Sequence, residues 1–382
     1  MKKQLTKTAL LTFVGLSLLT SCSKSEDKQA SFNDLQPVSY PAKSDKVTSS
    51  VPTGRIVFNP VTGVNEFEYL TSIEKQYTLD PISVVSTSNL DVLYPGSILR
   101  GSSFLNAVYD PLVVRNSFNP VILSGTLQGN GTNFTTSVSP TLGAVRNAIN
   151  VMKSQNTINY QAVPAVIEYD SEDIVNEKSY AKAFELHMSV GGLFGFLSAN
   201  FDTTSSNGST TTSRYTVVRV KQSFYNFGID PKYYTDWING PIDLADFGTH
   251  EPVYVSSVDY GRVAFIRIEN TQTSEYNNNM VKASVNYAIP TLSAGVSVSS
   301  TNEFKSLITN GKVKFLVVGG PVSLGQQVTD YLSFKAFIQQ PSAQELVSSS
   351  VPVGYKVRRL KDNTLVDVKD IYVKQIKELR AN

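Results

Sequence analysis

Residues 281–298 alternate in polarity along their length, and that alternation constrains the chain more than any other feature. Val281, Ala283, Val285, Tyr287 and Ile289 take the odd positions, with Lys282, Ser284 and Asn286 between them. Beyond Pro290 the apolar set changes phase to Leu292, Ala294, Val296 and Val298. A period of two places one set on one face of a strand. A phase break at Ala288-Ile289-Pro290-Thr291 fits a hairpin turn, where Pro290 forfeits no ladder bond. A second stretch upstream behaves alike. Phe184, Leu186, Met188, Val190, Phe194 and Phe196 share one parity; Glu185, His187, Ser189 and Gly191 share the other, broken by Leu193 and Leu197. Wound as a helix, Ala183, His187, Val190 and Phe194 would share a face instead. Residues 177–206 and 271–306 therefore admit two structures, as a refolding segment must. In extended form such alternation suits an ordinary half-buried strand or, where strands close into a ring, one face for lipid and the other for water.

Strand signals dominate elsewhere. Ser83-Val84-Val85, residues 215–220, 264–268 and 312–318 are β-branched or alternating. Residues 142–152 have helical spacing, and 343–347 briefly so. Turn-rich joints fall at 125–131 and 203–213. The class predicted is α+β: a long twisted antiparallel sheet flanked by helical bundles. At 382 residues the chain can hold two or three domains. With 34 basic and 32 acidic residues, its net charge of +2 gives no basis for binding nucleic acid. The two histidines, His187 and His250, belong to no HExxH, Walker or paired-cysteine pattern. No enzyme, metal or cofactor is expected.

The first 22 residues read as a signal peptide, with Lys2 and Lys3 before an apolar core at 10–19, which is too short to span a bilayer. Leu19-Thr20-Ser21-Cys22 resembles the lipobox of bacterial lipoproteins, which makes Cys22, the sole cysteine, the expected lipidation site. The Ser23-Lys24-Ser25-Glu26-Asp27-Lys28 run resembles surface-export signals of Bacteroidota lipoproteins. The expected location is the outer membrane, surface-exposed or released. Residues 23–53 read as a flexible tether reaching roughly 30 Å.

Several segments, in order, resemble signatures of the cholesterol-dependent (thiol-activated) cytolysins, ring-forming toxins of the perforin-like superfamily. Leu93-Tyr94-Pro95-Gly96-Ser97-Ile98-Leu99 is similar to the family's early Tyr-Pro-Gly turn. Lys221-Gln222-Ser223-Phe224-Tyr225 resembles its Lys-Gln-x-Tyr-Tyr strand, with Phe224 in place of a tyrosine. Pro252-Val253-Tyr254-Val255-Ser256-Ser257-Val258-Asp259-Tyr260-Gly261-Arg262 resembles the strand ending in Tyr-Gly-Arg. Phe315-Leu316-Val317-Val318-Gly319-Gly320 resembles the apolar strand that ends in a glycine pair, and Leu360-Lys361-Asp362-Asn363 the exit from the core. The family's Trp-rich, Cys-bearing cholesterol loop has no counterpart here: the only Trp is Trp237. The chain thus resembles a short cytolysin-like lipoprotein without the C-terminal membrane-binding domain, and cholesterol binding is not expected.

The resemblance implies discontinuous domains. A strand connector would comprise 54–79 and 358–382, and a core 80–167, 215–268 and 338–357. A sheet domain, 168–214 and 269–337, would carry both membrane-insertion segments. Gly319 and Gly320 would be a hinge that frees a strand edge; placing Val at both should block oligomerisation while the monomer still folds. Tyr169 and Glu172 would set register between neighbours, although the opposing positions, Val313 and Asp330, would complete neither an aromatic nor a charge pair. The implied function is that of a pore-forming component. It would oligomerise as a homo- or hetero-oligomeric ring on a target membrane, together with a longer, homologous membrane-binding partner. The alternative is a surface lipoprotein of the same fold that blocks a related toxin.

Overall fold

The computed structural model describes residues 32–78, 91–106, 108–127, 129–130, 134–155, 157–159, 166–174, 214–241, 243–270, 272–289, 297–320, 328–339 and 342–381. Along the chain come β1 (Lys46–Asn59), β2 (Val64–Thr78), β3 (Ile98–Leu99), α1 (Gly101–Leu105), β4 (Val121–Gly125), β5 (Gly129–Asn130), β6 (Thr135–Val138), α2 (Leu142–Gln155), β7 (Thr157–Ile158), β8 (Val166–Ile174) and β9 (Arg214–Ile229). There follow β10 (Val253–Asn270), α3 (Ser274–Ala288), α4 (Val298–Thr309), β11 (Val313–Val318), α5 (Tyr331–Ile338), α6 (Ala343–Ser349), β12 (Val351–Arg359) and β13 (Lys369–Arg380). This is the expected α+β arrangement.

β10 organises the eight-stranded antiparallel sheet. One edge pairs with β9 from Ser257↔Gly228 to Asn270↔Arg214. The other edge is shared: β12 takes Val253 to Gly261 and β11 takes Val263 to Ile268. β8 lies outside β9 at its lower part, and β4 with β6 at its upper part. Aromatic residues fill the upper half. Phe224, Phe227, Trp237 and Tyr254 are buried with Val145, Ile149 and Met152, the i, i+4, i+7 stripe of α2. Tyr225 and Tyr260 stack at 5.2 Å, and Trp237 packs on Tyr254 at 4.8 Å. Asn363 adopts φ 60°, a conformation in which Asn is enriched. It ties three elements: its Oδ1 accepts from Tyr254 Oη at 2.7 Å and its Nδ2 donates to the Lys232 carbonyl at 2.9 Å.

A separate three-stranded sheet, in the order β1-β2-β13, draws on both segments expected to form the connector, 54–79 and 358–382, and on residues 46–53 of the expected tether. The stretch expected to be a tether is ordered where it is described. Phe32 and Val38 are buried in two separate apolar clusters, Gln36 bridges His250, and β1 begins at Lys46. Two isolated apolar anchors in a polar run leave no period to read, which is why the sequence suggested a tether. Ser83-Val84-Val85 and residues 203–213 lie outside the described residues.

Candidate functional site

Four strands end level with one another at the lower end of the large sheet, in the order β8, β9, β10, β11. Ile174 pairs with Tyr215, Tyr215 with Glu269, and Ile268 with Val313. Residues 175–213 therefore join β8 to β9, and residues 271–312 join β10 to β11. Both connections link strands that are already antiparallel neighbours.

The second connection is helical where it is described. Thr273 caps α3, its side chain accepting from Tyr276 N at 3.2 Å, and Ser297 caps α4. The buried face of α3 comprises Asn277, Met280, Val281, Ser284, Val285 and Ala288. That of α4 comprises Thr301, Phe304 and Ile308. Both lie on Val218, Val220, Ala264, Ile266 and Ile268 of the central strands. Fully buried polar side chains interrupt this interface. Asn277 Nδ2 donates to Thr216 Oγ1 at 2.9 Å, and Ser284 Oγ to the Met280 carbonyl at 2.9 Å. Apolar contact is firmest where Phe304, Phe315 and Phe334 meet, with centroids 5.2–6.4 Å apart.

The insertion residues separate by period. Val281 and Val285 are four apart, a spacing that serves both helix and strand, and both are buried. Tyr287 and Val298 fit only the strand reading and are 39% and 57% exposed. Ile289 is half-buried at the end of α3. Val296, and Phe184, Leu186, Met188, Val190, Phe194 and Phe196, lie outside the described residues, as does Cys22.

Where β10 passes from β12 to β11 the backbone is tightly drawn. Gly319 and Gly320 adopt φ 77° and 84°, in the left-handed region. A Cβ on Gly319 would lie 2.7 Å from Val351 Cγ2 and 2.8 Å from the Gly261 carbonyl. Gly261 itself sits at a register shift against β9, where a Cβ would overlap the Gln222 carbonyl. Val at both 319 and 320 would therefore strain the monomer too, and Ala is the milder probe. Arg262 lies beside the glycine pair, fully buried. Its Nε donates to Gln222 Oε1 and its Nη2 to the Ile338 carbonyl at 3.1 Å, while Nη1 has no hydrogen-bond partner. The guanidinium lies 4.6 Å from the Phe337 ring. Burial pulls its pKa down to about 10. Sequence reasoning quoted Arg262 only as part of a signature; its signal was a cation between apolar neighbours in a strand that also carries Arg267.

Tyr169 stands on β8 opposite Val220 and faces α3: its hydroxyl donates to Asn286 Oδ1 at 3.4 Å, and Lys282 Nζ lies 5.9 Å from its ring. Burial pushes its pKa up to about 12. Glu172, also on β8, pairs with Val217 of β9. Val313 opens β11 on the opposite edge, and Asp330 caps α5 in a capping box with Ser333. The structure thus brings neither Val313 nor Asp330 to Tyr169 within one molecule. Among the described residues no cluster could hold a metal ion, and no helix is long and apolar enough to cross a membrane, which leaves crossing by strands untouched.

The thiol-activated cytolysin family model matches residues 70–378. The chain belongs to that family. It is 24% identical to perfringolysin O of Clostridium perfringens over 343 residues, covering 86% of this chain and 64% of that protein. With pneumolysin of Streptococcus pneumoniae the identity is 26% over 299 residues, 74% of this chain and 60% of that one. The fold is shared with the human-specific toxin intermedilysin at a TM-score of 0.62 and 20% identity, covering 91% of this chain and 73% of that one. Suilysin from Streptococcus suis gives 0.61 at 20% identity, covering 92% and 75%. This cytolysin-family chain thus spans under two thirds of the curated relatives' length.

Proposed function

We propose that this chain is a pore-forming component whose segments 177–206 and 271–306 become transmembrane β-hairpins on the target membrane. Connectivity carries the reading: each segment joins strands that are already antiparallel partners, so extension simply lengthens β8–β9 and β10–β11 downward. Each connection exceeds two membrane spans of about 9–11 residues. The alternation supplies a lipid face that would include Tyr287 and Val298, both exposed in the helical form, where Lys305 Nζ lies 5.8 Å from the Tyr287 ring. Membership in a family of cytolysins supports the same reading.

Ring closure follows from the edges. β8 and β11 lie on opposite sides of the four-strand ladder, so a neighbour's β11 can pair with β8 once both edges are open. Tyr169, held by α3 in the monomer, would be released by the same movement, and with Glu172 would set register. Gly319-Gly320 would let the chain after β11 swing away. Because Val313 and Asp330 complement neither residue, the neighbour is inferred to be a longer homologous cytolysin-like protein that binds the target membrane. Cys22 would tether the chain to the outer membrane, at the surface, until release.

Dye release from bacterial-lipid vesicles tests this, with the chain alone, with a longer relative, and after limited proteolysis. Release that requires both proteins is the expected result. Suppression of the relative's own release would replace the pore reading with a protective blocker, and no effect would remove it.

A further inference from the structure

The end of the β1–β2 hairpin is built inside out. Residues 56–65 contain no charged side chain. Ile56, Phe58, Val61 and Val64 are 62%, 60%, 91% and 53% exposed. The polar groups of the same turn bond one another instead. Glu66, 5% exposed, accepts from Asn59 Nδ2 and from Thr62 Oγ1, both at 2.7 Å. Asn59 Oδ1 accepts from Val61 N at 2.9 Å, and the Asn59 carbonyl from Gly63 N at 2.8 Å.

A turn meant for water shows the reverse pattern, polar groups outward and apolar ones folded under. Internal satisfaction of donors together with outward apolar side chains is what a medium without water demands. Basic residues flank the apolar end. Arg55 precedes Ile56, and Arg380 pairs with Phe67, itself opposite Ile56. Their side chains are 67% and 46% exposed, with Glu68 at 3.9 Å from Arg55 and Glu378 at 2.8 Å from Arg380. Arg55 at the rim of the apolar end suits a lipid phosphate, whereas the Arg380 guanidinium reaches up the sheet to Ser50 Oγ at 2.8 Å and to the Tyr69 ring at 4.6 Å. The other end of β2, at Tyr77, packs on the core, so the sheet holds the tip roughly 45 Å away.

We propose that the 56–64 turn is a membrane-contact tip, which dips Ile56, Phe58, Val61 and Val64 into the headgroup–acyl boundary of a phospholipid surface. It would orient the connector against the bilayer and does not depend on refolding of 271–306.

The test uses the full chain with Cys22→Ser and a single cysteine, Val61→Cys, carrying the environment-sensitive dye NBD. A second protein carries the dye at Val113→Cys, an exposed core position. Vesicles of phosphatidylethanolamine and phosphatidylglycerol are added. Emission at position 61 should rise several-fold and shift to the blue, with no change at 113. Adding Ile56→Ser and Phe58→Ser should cut the bound fraction at least roughly tenfold while leaving the melting temperature unchanged. An unchanged signal at 61, an equal change at both positions, or full binding by the serine variant would overturn the proposal. A change that needs an added longer cytolysin and no lipid would also overturn it, making the tip a protein-docking surface. Dye release plays no part in this readout, so failure of the pore reading would leave it intact.

Discussion

The two halves of β10 run in one strand and share β9 as a neighbour, yet they are covered differently. From Val253 to Tyr260 the packing is aromatic: Tyr260 stacks on Tyr225 and meets Phe227 edge-on, and Tyr254 packs on Trp237. From Arg262 to Asn270 one face is covered by α3 and α4, whose contact surface includes Asn277, Ser284 and Thr301 at positions with no exposure to speak of. The boundary falls at Gly261, Arg262, Gly319 and Gly320. One strand therefore carries aromatic packing in one half and, in the other, a helical cover whose buried face includes polar side chains that need partners.

Truncation of the aromatic half should have the largest effect. Phe227→Ala is expected to cost about 3–5 kcal/mol and to lower hydrogen-exchange protection throughout the large sheet, α3 included. Protection lost only near position 227 would break the comparison. Next comes Gly319→Ala, at about 2–4 kcal/mol from the left-handed backbone and the approach of Val351 and Gly261, read by urea denaturation. A neutral result would mean the boundary is not so tightly drawn.

The half covered by α3 and α4 should respond locally. Asn277→Ala strands Thr216 Oγ1 from one partner and should cost about 1–3 kcal/mol, appearing as faster amide exchange in α3 while β9 and β10 stay protected. Tyr287→Asn and Val298→Asn should leave monomer stability within about 0.5 kcal/mol, since both side chains are exposed, yet sharply reduce membrane insertion. Monomer destabilisation by either would show that it serves the helix after all.

The smallest effect is on pH dependence, with opposite signs in two places. Burial raises the pKa of Glu251, against the Val38 amide and Arg359. Its folded form holds a proton more tightly than the unfolded chain, so its contribution is full at low pH and is lost as pH rises through the folded value. Glu251→Gln should flatten that loss. In the connector, hydrogen bonds from Asn59 and Thr62 lower the pKa of Glu66, and bonds from Arg380 and Thr71 lower that of Glu378. Their contribution is present above the ordinary carboxylate pKa of about 4.3 and fades as pH falls through the depressed folded values. Thermal melts between pH 3 and 7 of Glu251→Gln and Glu66→Gln should therefore diverge at opposite ends.

Sequence and structure meet most closely where period is unambiguous. Residues 142–152 read as helix and lie in α2; 215–220 and 264–268 read as strands and lie in β9 and β10, and 312–318 matches β11 apart from Lys312. At 281–289 the alternation is a strand pattern, yet the monomer winds it as a helix. Val281 and Val285, four apart, satisfy either period, so the local sequence does not choose between them and the sheet beneath does. Asn277 and Arg262 escaped notice because their roles depend on partners far along the chain: Thr216 for one, Gln222 and the Ile338 carbonyl for the other. Phe32 and Val38 escaped because single anchors have no period.

The central claim is that residues 281–289 change period on the membrane. Single cysteines at each of these positions, in the chain carrying Cys22→Ser and labelled with NBD, would read the environment of every residue before and after pore formation. In solution the buried set should follow the helix, Val281, Ser284, Val285 and Ala288. In an active ring it should alternate, with Val281, Ala283, Val285, Tyr287 and Ile289 in lipid and Lys282, Ser284 and Asn286 in water. Dye release accompanied by an unchanged helical pattern would contradict the account.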